Sequence, residues 1–143
     1  MEKNSDSKMK HRLKYPLLLI IFIICFISSI ILSFIPPEKA CGGTETGCYI
    51  INTSKYAELI GIKNCYFGLI AFSILIFLTI WHILKPKKYK KQLVFVGLLV
   101  GSIFAVYFIY LQFILIKACC QYCMVVDIGT LIGLALNLFW KEK

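Results

Sequence analysis

Apolar residues fill four stretches of the chain with little interruption: Leu17 to Ile35, Cys65 to Leu84, Leu93 to Ile116 and Cys120 to Trp140. Each is close to the ~20 residues that a helix rising about 1.5 Å per residue needs to cross a hydrocarbon layer. The pattern predicts an all-α integral membrane four-helix bundle, a single domain over residues 1–143. The spans use most of the chain and leave no room for a water-soluble domain. Span one stops at Pro36-Pro37, because proline lacks an amide proton and pushes the preceding residue out of helical geometry. Residues 36–63 form the only long stretch of mixed character. In it "CGGTETGC" reads as turn, and Tyr49, Ile50, Ile51, Tyr56, Leu59 and Ile60 recur at spacings that predict a short amphipathic helix along the membrane surface. The connection from Lys85 to Gln92 is short, so spans two and three are antiparallel neighbours, and the still shorter link before span four forces a tight hairpin.

Composition agrees: 59% of the 143 residues are hydrophobic, above the roughly 45 to 50% of soluble domains. The net charge of +9 raises nucleic acid as a partner, but its placement argues for topology. Twelve of the 16 Lys and Arg residues precede span one, fill the second connection or close the chain. Basic residues gather on the cytoplasmic side, so both termini and "KPKKYKK" are expected there, with the 36–63 loop and the turn near Lys117 facing outward. Apart from Tyr89, these runs lack the interleaved aromatics of a nucleic-acid surface, and no nucleic-acid partner is expected. The first span resembles a signal peptide, yet its apolar stretch is long for one and Glu38 in "PPEKAC" spoils a small-x-small cleavage pattern, so it is expected to stay.

Seven cysteines then carry the chemistry. Cys41 and Cys48 close a glycine-bearing loop, and bridging it would contribute roughly 2.5 kcal/mol on a chain-entropy model; taken alone, such a bridge is equally a structural staple. Cys120 and Cys123 form a C-x-x-C at the mouth of span four. A thiol there feels unpaired amides and the positive end of the helix dipole, which favours thiolate. Ordinary packing cysteines, or a zinc site made of both pairs, are the competing readings; no outward histidine accompanies the thiols, and no metal is expected. Cys25, Cys65 and Cys119 read as packing residues, although "CC" at 119–120 offers a second partner for each pairing. Asp127 lies one turn beyond Cys123 on the same face, an intramembrane acid and so a functional candidate, with a helix-helix hydrogen bond as the alternative. Asn64 either presents an amide to a ligand or caps span two, and His82, beside Trp81, reads as an interfacial anchor.

Taken in order and spacing, Cys41, Cys48, "SKYA" at 54–57, Gly61, Asn64, Gly68 and "CQYC" at 120–123 resemble the vitamin K epoxide reductase family, specifically its bacterial and archaeal members, over roughly Leu17 to Trp140. The resemblance implies a bundle enclosing a quinone, covered by the loop helix. It implies that Cys120 and Cys123 are the active-site pair, Cys123 nearest the quinone, and that Cys41 and Cys48 shuttle electrons from a thioredoxin-like partner. Cys48 would then form the mixed disulfide with Cys120, leaving Cys41 to exchange with the partner. Asn64 matches the family asparagine that hydrogen-bonds a quinone carbonyl, and Ser54 and Asp127 join it as expected quinone contacts. At Asp127 the vertebrate members carry tyrosine, and at Lys63 proline is common. Many bacterial relatives carry a fused thioredoxin-like domain; this chain ends at Lys143, so a separate partner is expected. The expected activity is a quinone-dependent thiol oxidase of the cytoplasmic membrane, reducing a menaquinone or ubiquinone type of acceptor and supporting disulfide formation outside the cytoplasm. The rivals are a quinone or quinone-epoxide reductase using thiols only as donors, and a non-catalytic membrane subunit braced by disulfides.

Overall fold

The structure, a computed structural model, describes residues 2–85 and 87–140. Pro86 of the basic connection and Lys141 and Lys143 of the C-terminal flank lie outside the described residues. In chain order the helices are α1 (Glu2–Phe34), α2 (Pro37–Ala40), α3 (Gly47–Thr53), α4 (Asn64–Leu84), α5 (Lys88–Tyr110) and α6 (Gln121–Phe139). Among the described residues, four segments are long and apolar enough to cross a membrane: Arg12–Phe34, Asn64–Leu84, Lys88–Ile116 and Gln121–Phe139. The protein is an all-α membrane bundle. α1 packs on α4 and α6, and α5 packs on the same two, closing a ring.

Each span buries one face. On α4 the buried residues are Phe72, Leu75, Thr79 and His82, the spacing of a single helical stripe. Phe72 and Leu75 cluster with Leu18, Phe22 and Cys25 from α1 and Val94 and Leu98 from α5. Lipid is as apolar as these side chains, so close packing rather than escape from water holds the helices together. Outer faces carry exposed Ile20, Ile24, Ile27, Ile70, Ile74, Phe77 and Ile103, the surface a bilayer would cover. Two buried hydroxyls are satisfied within their own helices: Ser29 donates to Cys25 O at 3.0 Å and Thr79 to Leu75 O at 2.6 Å.

Three local features differ from the sequence reading. α1 begins at Glu2 rather than Leu17 and runs through Pro16. Proline there removes the amide that would bond the Arg12 carbonyl, but Arg12 and Pro16 are both exposed, where other donors can serve it. His82 is buried against Tyr15, ring centroids 4.3 Å apart, because it continues the buried stripe; Trp81 is the exposed aromatic, with Lys90 Nζ 3.9 Å from its ring centre. Finally, the loop helix stops at Thr53. A single turn of 3-10 helix (Lys55–Ala57) follows, then a hairpin of β1 (Glu58–Leu59) and β2 (Ile62–Lys63), Glu58 opposite Lys63 and Leu59 opposite Ile62. Its two turn residues, Ile60 and Gly61, have φ of 57° and 78°, the pair of positive values that a type I′ turn demands. Gly61 adopts this freely, whereas β-branched Ile60 is strained.

Candidate active site

The site begins where α5 widens. Residues Leu111–Ile116 form a π-helical turn, a form that often marks functional positions. It ends at Lys117, whose φ of 54° and ψ of 37° are left-handed and uncommon outside glycine. The amides of Lys117 and Ala118 both close onto Gln112 O, the second at 3.0 Å. Leu111 and Gln112 are buried on this turn. The Gln112 side chain then ties two parts of α6: Nε2 donates to Asp127 Oδ2 at 3.2 Å, and Oε1 accepts the Cys120 amide at 3.2 Å. A buried carboxylate and the amide at the helix start therefore share one partner.

Cys120 is the N-cap residue of α6, with extended backbone at φ −103° and ψ 119°, and its sulfur accepts the Cys123 amide at 3.5 Å. Sulfur thus fills the role that serine or aspartate oxygen fills in most helices. The Cys123 thiol, then the Cys123 amide, the Asn52 side chain and the Tyr122 amide lower the Cys120 thiol from 9.0 to about 6, against the burial that pushes it up.

Opposite lies the loop. Cys41 and Cys48 are joined by a disulfide, Cα atoms 5.4 Å apart. Thr46 caps α3: its Oγ1 accepts the Tyr49 amide at 3.3 Å and donates to Gly43 O at 3.0 Å. Gly47 seats the helix. A Cβ at that position would stand 2.6 Å from Cys119 O and 2.9 Å from Cys119 N, so only glycine lets α3 reach the strand of chain leading into α6. Close approach brings Cys48 Sγ to 3.4 Å from Cys120 Sγ. Cys41, Cys48 and Cys120 are all buried, packed with Leu32 and Ile51. Thiol-disulfide exchange needs a thiolate beside a disulfide sulfur, and the free Cys120 sulfur, its pKa lowered, stands beside one.

Sequence comparison decides the family. The vitamin K epoxide reductase family matches residues 16–138. The chain belongs to that family. Membership makes it, in general terms, an oxidoreductase acting on thiols and quinones. No curated protein matches the chain.

Within this vitamin K epoxide reductase family member, the other residues singled out from the sequence fall in separate places. Ser54 donates its hydroxyl to Ile51 O at 2.8 Å, and Asn64 donates its amide to Tyr56 O at 2.8 Å. Both are engaged within the loop, while Asp127 is engaged with Gln112 inside the bundle. Asn64 does not cap α4, whose N-cap residue is Lys63. Cys65 is directed at Leu32 O at 3.7 Å, Cys25 is buried against α6, and Cys119 is exposed. Three contributors were missed in the sequence: Gln112, Gly47 and Asn52. Gln112 alone left a trace, as a polar residue inside an apolar span.

Proposed function

We propose that the protein oxidises a separate thioredoxin-like dithiol outside the cytoplasm and passes the electrons to a membrane quinone of the menaquinone or ubiquinone type. The observation that carries this reading is the 3.4 Å separation of Cys48 and Cys120 sulfurs beside an intact Cys41–Cys48 disulfide. One partner thiolate attacks Cys41 and Cys48 leaves; the partner's second thiolate then attacks the partner's own sulfur in that mixed disulfide and Cys41 leaves, so the partner is oxidised and Cys41 and Cys48 are reduced. Cys48 thiolate next attacks Cys120 of an inner Cys120–Cys123 disulfide, and Cys123 leaves. Cys41 thiolate then attacks Cys48; the loop disulfide re-forms and Cys120 leaves as thiolate. A low Cys120 pKa speeds this departure, since a more acidic thiol is a better leaving group. The chain now has a joined loop pair and a free inner pair, the arrangement the structure holds.

An inner dithiol gives up two electrons and two protons in returning to a disulfide, and a quinone accepts two of each on becoming a quinol. Asp127, buried one turn from Cys123, supplies a carboxyl on that path. Asn64 has a second amide hydrogen beyond the one given to Tyr56, enough for a quinone carbonyl, and Ser54 fixes the end of the loop helix above it. Basic flanks at the termini and in the second connection support cytoplasmic termini, with the cysteine end of the bundle outside.

The test is turnover of the purified protein in micelles with dithiothreitol as the dithiol and a soluble quinone as acceptor. Cys123→Ala is expected to abolish quinone reduction while helical circular dichroism is kept. Undiminished turnover in that variant overturns the reading.

A further inference from the structure

Asn52 lies one turn after Cys48 on α3, and its side chain reaches both reacting sulfurs. Nδ2 is 2.8 Å from Cys48 O, 3.8 Å from Cys48 Sγ and 3.5 Å from Cys120 Sγ. A carbonyl oxygen only accepts, so the contact with Cys48 O fixes which end of the amide is nitrogen. One N–H is spent on that carbonyl, and the other is left for the sulfurs. A bond to its own helix would suffice for a structural role; placement within reach of two sulfur atoms from different segments calls for more. Asparagine is also a poor helix former, so local helix stability does not account for it.

We propose that Asn52 is a catalytic residue of the exchange between the loop pair and the inner pair, its amide N–H holding the negative charge that collects on the Cys120 sulfur. This rests on the relay set out above. As Cys41 thiolate attacks Cys48, the Cys41–Cys48 bond forms, the Cys48–Cys120 bond breaks, and the electron pair stays on Cys120. No proton moves. Charge therefore shifts onto a sulfur that is fully buried, where water cannot reach to stabilise it. A donor already aimed at the sulfur compensates without reorganising, as an oxyanion-hole amide does for oxygen. Clamping by the Cys48 carbonyl keeps the donor aimed, and the depressed Cys120 thiol agrees with its action. The reverse step uses the same contact, because the same Cys120 thiolate is then the attacking group.

The experiment reads exchange without any quinone. In a Cys41→Ser, Cys123→Ser background the Cys48–Cys120 mixed disulfide is formed in micelles, and its cleavage by dithiothreitol is followed by quenched alkylation and mass spectrometry. Asn52→Leu, with the same branching and no donor, is expected to slow cleavage about tenfold, less than the loss of an oxyanion-hole donor because sulfur is a weaker acceptor. It is also expected to move the midpoint of Cys120 ionisation upward. Asn52→Asp keeps the shape, cannot donate when ionised and adds like charge; it is expected to raise the midpoint further, and it stands as the measurement if the leucine variant does not fold. Cleavage rate and midpoint both unchanged in a folded variant overturn the proposal. Failure of the unaltered protein to reduce a quinone would strike the relay's last step and leave these two readouts standing, so the two failures are told apart.

Discussion

A methyl group on Gly47 has nowhere to go. Glycine to alanine at an exposed helix position ordinarily stabilises by about 0.4 to 1 kcal/mol, but here the new carbon would sit 2.6 Å from Cys119 O, and backbone rather than a flexible side chain must yield. Gly47→Ala is expected to destabilise by about 1 to 3 kcal/mol and to part Cys48 from Cys120. Slower trapping of the Cys48–Cys120 mixed disulfide, with a lower melting temperature in micelles, is the check. At Cys120 the sign of the pH dependence follows from a thiol lowered from 9.0 to about 6. Its thiolate persists at neutral pH, and the exchange rate falls as pH drops through about 6, where an ordinary thiol would already have lost it below 9.0. The same depression stabilises the fold most above the ordinary value, and that contribution fades as pH falls toward the lower one. Thiolate ultraviolet absorbance that vanishes in Cys120→Ser reports the titration directly.

Among elements, the turn at Leu111–Ile116 has the largest consequences, and it is bound up with one polar side chain. Gln112→Leu leaves the Asp127 carboxylate without its amide donor and the Cys120 amide without its acceptor. The expected loss is about 1 to 3 kcal/mol for stranded buried groups, read as a drop in thermal unfolding temperature. How far such elements can be seen in advance depends on what the signal is made of. The spans of α4, α5 and α6 are legible because twenty apolar residues have few other uses. A π turn has no composition of its own, since Phe113, Ile114, Leu115 and Ile116 suit an ordinary helix equally well. The loop helix was legible in its start and not in its end: the Asn52, Thr53, Ser54 run can bond its own backbone, and Thr53 and Ser54 do so, to Tyr49 O and Ile51 O at 2.8 Å each. The pairing of Cys41 with Cys48 was legible because of their spacing. Gly47 was invisible because its role is an approach between segments more than seventy residues apart, and distance along the chain hides such contacts.

At the scale of the whole molecule, the ring of helices sets six of the seven cysteines, all but Cys25, at one end and the most basic connection at the other. Burial then ranks the thiols. Cys119 is exposed while Cys120, its neighbour, is fully buried. A maleimide added to the folded protein in micelles is expected to modify Cys119 well before Cys120 or Cys25, with the order lost on unfolding; equal rates would contradict the packing of α3 over the start of α6. The sulfurs of Cys41, Cys48 and Cys120 are packed away under a glycine-rich crest whose Gly42, Thr44 and Glu45 are the parts that meet the surroundings. Such a chain behaves as an insulated wire with one bare terminal. Small thiols such as dithiothreitol are slowed by the shape of the loop rather than barred, so leakage of current past the proper donor is reduced.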